Sequence, residues 1–169
     1  MRNGGGKQKG AQFERDVCRR LSLWMSNGAH EDLYWRSAMS GGRSTVAAKY
    51  GKRLAAQAGD ISCISPLGHA LTDHFLIECK NYHNLNFDGL IKGTGNLSRF
   101  WDETCVNAAN YDKEPLLIAK QNQQPICACL GRDGAVLLKL TQWIKMSIPS
   151  LNLRIILFND LLEYGVRPT

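Results

Sequence analysis

One stretch constrains this chain more than any other: Phe75-Leu76-Ile77-Glu78-Cys79-Lys80, taken with Gly59-Asp60-Ile61 upstream. The run from Phe75 is apolar until Glu78, the pattern of a buried strand. Side chains alternate faces along a strand, so Glu78 and Lys80 point the same way and Cys79 the other. An acid and a lysine at the end of an apolar strand are not core packing, because an unpartnered buried charge is costly. Asp60 opens a second apolar run, Ile61-Ser62-Cys63-Ile64. If the two runs pair as neighbouring strands, Asp60 and Glu78 converge on one pocket with an ammonium beside them. Two hard carboxylate oxygens so placed suit Mg2+ and a phosphodiester.

Charge is unevenly distributed around that pocket. The 169 residues carry a net charge of +6. Residues 1–59 hold eleven Lys/Arg against four Asp/Glu, whereas the remaining 110 hold ten bases and eleven acids. The whole positive excess therefore precedes the acidic pocket. It reads either as a polyanion-binding surface or as a well-solvated basic face. The length suits one domain with a real core. Apolar runs shorter than ten residues exclude a membrane-spanning helix. The segment Met1–Lys7 has no apolar stretch of a secretory signal, so a cytoplasmic protein is expected. The six cysteines show no framework spacing. Cys127 and Cys129 share a strand face but lack a second pair to complete a zinc set. All six are expected to be reduced, with Cys63, Cys127 and Cys129 as small core residues.

Along the chain, residues 1–9 read as a flexible, basic, glycine-rich arm. A helix is expected from Gly10, because Phe13, Val17, Leu21 and Trp24 recur at helical spacing and Asn27-Gly28 supplies a stop. Glu14 beside that stripe is either a first-turn acid complementing the helix dipole or a third carboxylate at the pocket. Tyr34–Ser37 suits a short extended segment. Ser40-Gly41-Gly42-Arg43-Ser44 is a small, basic loop whose backbone can approach a phosphate closely, with Arg43 and the serines as ligands, although it lacks the P-loop pattern. Residues 45–58 read as a weak Ala-rich helix interrupted at Gly51, bearing Lys49, Lys52 and Arg53 on one side and mobile until it meets a partner.

Residues 60–80 are expected to form a hairpin: Ile61–Ser65, a turn at Pro66-Leu67-Gly68-His69, and a return over Ala70–Lys80. Residues 81–96 read as loop, followed by a helix capped at Asn96 or Ser98 that carries Leu97, Trp101, Cys105, Ala108 and Ala109. Pro115–Ala119 reads as a buried strand. Ile126–Leu130 and Ala135–Leu140 flank Gly131-Arg132-Asp133-Gly134 as a second hairpin. Thr141 caps a short helix, Arg154–Phe158 is a last apolar run, and a turn of helix reaches Tyr164. The resulting order predicts an α/β sandwich, a mixed sheet with helices on its faces.

Taken together, Phe13-Glu14-Arg15, Arg36-Ser37, Ser40-Gly41, Gly59-Asp60-Ile61 and Ile77-Glu78-Cys79-Lys80 resemble the PD-(D/E)XK nuclease superfamily. Within it they look most like Holliday junction resolvases of archaeal and phage type. The likeness spans roughly residues 10–122, the expected nuclease core of a single domain over 10–169, with residues 123–169 as a C-terminal extension. One departure is Gly59, where the family often has proline. The resemblance implies a restriction-endonuclease-like mixed β-sheet flanked by helices, and Mg2+-dependent DNA cleavage leaving a 5′-phosphate, with Mn2+ able to substitute. Asp60, Glu78 and the Cys79 main-chain carbonyl would ligate the ion. Glu14 would reach a second ion directly or through water. Lys80 would position or deprotonate the attacking water, and Lys120 or Gln121 would contact the scissile phosphate. Arg36, Ser40, Arg43, Lys49, Lys52 and Arg53 would hold DNA by its phosphates. Paired nicks in a four-way junction imply a C2 homodimer. Trp35, Trp101 and Trp143 are candidates for packing or for stacking on unpaired bases. The host cell would be bacterial, archaeal or phage-infected. The competing readings are another PD-(D/E)XK activity, restriction-like, nicking or exonucleolytic, and a non-catalytic nucleic-acid-binding protein of the same fold.

Overall fold

A computed structural model of the chain describes residues 5–37 and 59–169. The first helix, α1 (Gly5–Met25), starts five residues before the position its apolar stripe suggests, inside the expected arm. Its stripe is the predicted one: Phe13, Val17, Leu21 and Trp24 are all buried. The stop is also where expected. Asn27 and Gly28 take positive φ, and the Gly28 N–H donates to the Leu23 carbonyl at 2.7 Å, which closes the helix end. The buried Ser22 hydroxyl joins α1 to the next element, accepting from the Leu33 and Tyr34 N–H groups. That element is β1 (Tyr34–Arg36), which pairs antiparallel with β2 (Ile61–Cys63) in a two-stranded ribbon.

The main sheet has five strands among the described residues, in the order β3-β4-β5-β7-β6. β3 (Phe75–Tyr82) and β4 (Glu114–Gln121) run parallel, joined by the crossover helix α3 (Asn96–Ala109). β5 (Cys127–Leu130), β7 (Leu153–Leu157) and β6 (Met146–Ile148) extend the sheet antiparallel. Residues 123–169 thus supply three of the five strands and complete the sheet, so the core does not end at residue 122. The arrangement is the expected mixed sheet flanked by helices. One face packs α1 and α5 (Phe158–Tyr164) against Ile77, Leu116, Ile118, Ala128 and Ile156. The other packs Leu97, Phe100 and Trp101 of α3 against Leu117, Ala119, Cys127, Cys129 and Ile155. Each Leu, Ile and Phe side chain among these contributes about 1.5–3 kcal/mol on burial.

Both expected hairpins are corrected. Residues 66–74 do not return as a strand: Pro66–Gly68 is a 3-10 turn leading into the short helix α2 (His69–His74). Leu71 is the one fully buried residue of that helix, and Thr72, Asp73 and His74 around it are polar. One buried side chain per turn suits a helix, whereas a strand would need alternation. Likewise, β5 does not fold back on Ala135–Leu140. Residues Arg132–Leu137 form α4, and β5 pairs with β7 from the C-terminal apolar run. Here the Asp133-Gly134 turn signal misleads, because Gly134 is needed for contact: a Cβ there would lie 3.0 Å from the Phe75 ring. All six cysteines are free, and Cys63 is half-buried rather than fully in the core. No helix among the described residues is long and apolar enough to cross a membrane. The Ser40–Ser44 loop and the basic stretch 45–58 lie outside the described residues.

Candidate active site at the outer edge of β3

β3 is an edge strand of the five-stranded sheet, and its free edge is covered by the residues just before β2. The Asp60 N–H donates to the Ile77 carbonyl at 2.9 Å, and the Cys79 N–H donates to Asp60 Oδ2 at 2.9 Å. Gly59 makes this approach possible. Its φ of +81° is unfavourable for other residues, and a Cβ would lie 2.6 Å from the Ile77 carbonyl oxygen. Proline, whose ring fixes φ near −65°, cannot take this conformation. The departure from the common family pattern is therefore a backbone requirement of this chain.

Asp60 and Glu78 converge as predicted, though by these crossed hydrogen bonds and not by a hairpin. Lys80 Nζ lies 3.2 Å from Glu78 Oε2 and 3.8 Å from Asp60 Oδ2. Both carboxylates are nearly enclosed, with side chains 12% exposed. Burial, followed by the Asp60 charge, pushes the Glu78 carboxyl up to about 7, and Lys80 only partly offsets this. Burial lowers the Lys80 ammonium, but the Glu78 and Asp60 carboxylates outweigh it and hold the group above its ordinary value. Lys80 is thus a charged hydrogen-bond donor in this state. Asn107 of α3 offers its amide to Glu78 Oε1 at 3.5 Å, a weak contact, and Lys80 Nζ lies 5.9 Å from the centre of the Phe100 ring.

Glu14 approaches from α1. It is held by Arg36 of β1, whose Nε donates to Glu14 Oε2. Burial raises the Glu14 carboxyl, the Arg36 hydrogen bond opposes this, and Asp60 adds to the rise, leaving it above the usual range. Arg36 therefore faces the site and pairs an acid. Removing it strands a largely buried carboxylate. Arg36→Ala is expected to lower stability by about 1–2 kcal/mol at pH 7, and by much less near pH 4, where Glu14 is protonated. Urea titrations at the two pH values check this, and an equal loss at both would contradict it. Behind the carboxylates the Cys18 thiol, raised to about 12 by burial and by Glu14, and the fully buried Cys79 thiol form an uncharged backing.

Among the described residues, no three His, Cys, Asp or Glu side chains converge as a ready metal cage. The two carboxylates nonetheless suit a hard divalent cation. Their enclosed mutual repulsion is what such an ion relieves, and the Cys79 main-chain carbonyl is a further oxygen donor on the same strand. The remaining candidates separate. Lys120 follows Ala119, the cross-strand partner of Lys80, so its side chain leaves the opposite sheet face. Gln121 uses its carboxamide oxygen to accept from the Leu85 N–H at 2.8 Å, fixing the chain beyond β3. Ser40, Arg43, Lys49, Lys52 and Arg53 lie outside the described residues. Sequence reasoning missed Asn107 and Phe100. Their separation of seven residues, two helical turns, was the signal that they share a face of α3.

The model of a family described as "Phage putative PDDEXK endonuclease" matches residues 5–156. No curated protein and no solved structure gives a significant match.

Proposed function

Because the chain belongs to this phage PDDEXK endonuclease family, we propose that it is a divalent-metal-dependent, structure-selective DNA endonuclease, specifically a Holliday junction resolvase that makes paired nicks in four-way junctions. The observation that carries the nuclease reading is the enclosed Asp60–Glu78–Lys80 cluster, with both acids within 4 Å of one ammonium. The excess of eleven bases over four acids in residues 1–59 supports a polyanionic substrate. The junction-level reading rests on the resemblance of the Glu14, Ser40-Gly41, Asp60 and Glu78-Cys79-Lys80 segments to resolvases.

Asp60, Glu78 and the Cys79 carbonyl would hold Mg2+ or Mn2+, which supplies Lewis-acid neutralisation of the phosphodiester charge. Lys80 donates hydrogen bonds toward the attacking water and the developing phosphorane oxygens. Its carboxylate partners keep it charged for that role. Glu14, released from or shared with Arg36, would support a second ion directly or through water. Arg36, turned inward, would hold Glu14 in place, and the basic residues Arg43, Lys49, Lys52 and Arg53 would hold duplex arms by their phosphates, reading shape and not bases. A junction presents two scissile strands related by a dyad, so the acting species is a C2 homodimer with two sites.

A single gel comparing four-way junction, flap and linear duplex in Mg2+ tests the proposal. The expected result is symmetric nicking of the junction well above linear duplex, with 5′-phosphate ends. Equal cutting of linear duplex would overturn the resolvase reading and leave a nuclease. Binding without cutting in Mg2+ and Mn2+ would overturn the nuclease reading.

A further inference from the structure

The four tryptophans divide sharply in their surroundings. Trp24 and Trp101 are buried, and Trp101 donates its indole N–H to the Leu151 carbonyl at 2.9 Å. Trp143 stacks on Tyr164 with centroids 3.7 Å apart and planes 4° off parallel. Trp35 is different: it is 61% exposed at the centre of β1. Ile64 and Leu67, 59% and 61% exposed, belong to the same ribbon and the turn that follows it.

The ribbon register gives that exposure a location. Trp35 pairs with Ser62, Arg36 with Ile61, and the ladder continues one step further through the Ser37 N–H, which donates to the Asp60 carbonyl at 2.8 Å. By strand alternation, Tyr34, Arg36, Ile61 and Cys63 share the inner face, while Trp35 and Ser62 share the other. Trp35 stands two residues before Ser37, the ladder neighbour of Asp60, so the exposed indole flanks the backbone that carries Asp60, whose own carboxylate turns toward the Cys79 N–H. The Ser62 hydroxyl opposite Trp35 is buried and has no hydrogen-bond partner among the described residues. A large exposed indole, flanked by exposed Ile64 and Leu67 and by a buried hydroxyl with no partner among the described residues, is unusual for a merely solvated ribbon.

We propose that Trp35 is a stacking platform for an unpaired nucleobase, positioned next to the phosphodiester that the Asp60–Glu78–Lys80 cluster engages. The occupant is nucleic acid because the ribbon that carries Trp35 adjoins that cluster through the Ser37–Asp60 bond and lies in the basic third of the chain, whose charge complements a phosphate backbone. Base stacking on an aromatic ring tolerates any base, so the platform selects for interrupted or branched DNA without selecting sequence. The inference rests on the nuclease reading and adds a substrate-selecting residue to it.

The test uses the full chain in EDTA, so that no cutting occurs. Probes are a four-way junction, a gapped duplex and a linear duplex of equal length, with 2-aminopurine at the branch or gap. Trp35→Ala is expected to weaken junction and gapped-duplex binding about tenfold and to leave linear-duplex binding within about twofold. Trp35→Phe should restore most of the loss. In the unsubstituted protein, DNA should quench indole emission and shield it from acrylamide, and both effects should vanish in Trp35→Ala. Equal weakening on all three probes, no weakening, or an indole already shielded in the free protein would overturn the proposal. So would a change from dimer to monomer on sedimentation of Trp35→Ala, since that assigns the face to a second copy of the chain. If the unsubstituted protein fails to prefer junctions over linear duplex, the resolvase reading falls, while the gapped duplex still reports on Trp35.

Discussion

Glu78→Gln is expected to abolish DNA cleavage, by a factor of about a thousand or more, while leaving DNA binding intact and making the metal-free protein more stable at neutral pH. The two effects share one cause. The Glu78 carboxyl is pushed up to about 7 by burial and by Asp60, so ionising it in the metal-free fold is unfavourable. For a group whose folded pKa lies above its unfolded value, the stabilising contribution is full below the unfolded pKa and disappears as pH rises through the folded one. The metal-free protein should therefore lose on the order of 2 kcal/mol between about pH 4.5 and pH 7 from this site. The glutamine variant, which has no charge to bury, should not. Thermal melts in EDTA across that range provide the check, and parallel curves for the two proteins would refute the account. Adding Mg2+ at pH 7.5 should raise the midpoint of the unsubstituted protein only. For the same reason, divalent-cation affinity should fall as pH drops below 7, since protons compete for Glu78.

The second large effect is expected at Gly59. Gly59→Ala introduces both a positive-φ penalty and a Cβ 2.6 Å from the Ile77 carbonyl oxygen, a backbone atom that cannot swing away. A loss of about 2–4 kcal/mol follows, read as a shift of the urea midpoint. Relief of the clash must move Asp60 away from β3. Divalent-cation affinity should consequently fall further than the stability loss alone explains. Gly59→Pro should be worse still. A Gly59→Ala protein with unchanged midpoint and unchanged cation binding would show that the Asp60–Ile77 contact does not govern the site.

How far the site could be read from the residues depends on what each signal encodes. The Glu78–Lys80 alternation is a local property of an extended chain, and it carried directly into the structure. So did the α1 stripe with its Asn27-Gly28 stop. The convergence of Asp60 on Glu78 was also legible, but its route was not. Residues 66–74 lie between a proline turn and the apolar run from Phe75 and read as part of that strand, but their single buried side chain, Leu71, has the spacing of a helix turn. The Asp133-Gly134 pair gave a strong hairpin signal that the packing against Phe75 overrode. Partners from distant elements, Arg36 with Glu14 and Asn107 with Glu78, depend on how α1 and α3 dock, which no local pattern specifies. Arg36 was readable as basic, yet only its pairing shows that it turns inward.

The acidic cluster is assembled from two separate hydrogen-bonded bodies. Glu78 and Lys80 belong to the five-stranded sheet, whereas Asp60 is carried by the β1–β2 ribbon. Two bonds, to the Ile77 carbonyl and from the Cys79 amide, fasten one body to the other at this point. Undoing this joint would part Asp60 from Glu78 and Lys80, which stay together on β3. Amide exchange at Asp60 and Cys79 should accordingly be faster than in β4. If the ribbon grips nucleic acid as proposed, substitution on its outer surface should alter that grip and leave the sheet-borne Glu78 and Lys80 in place.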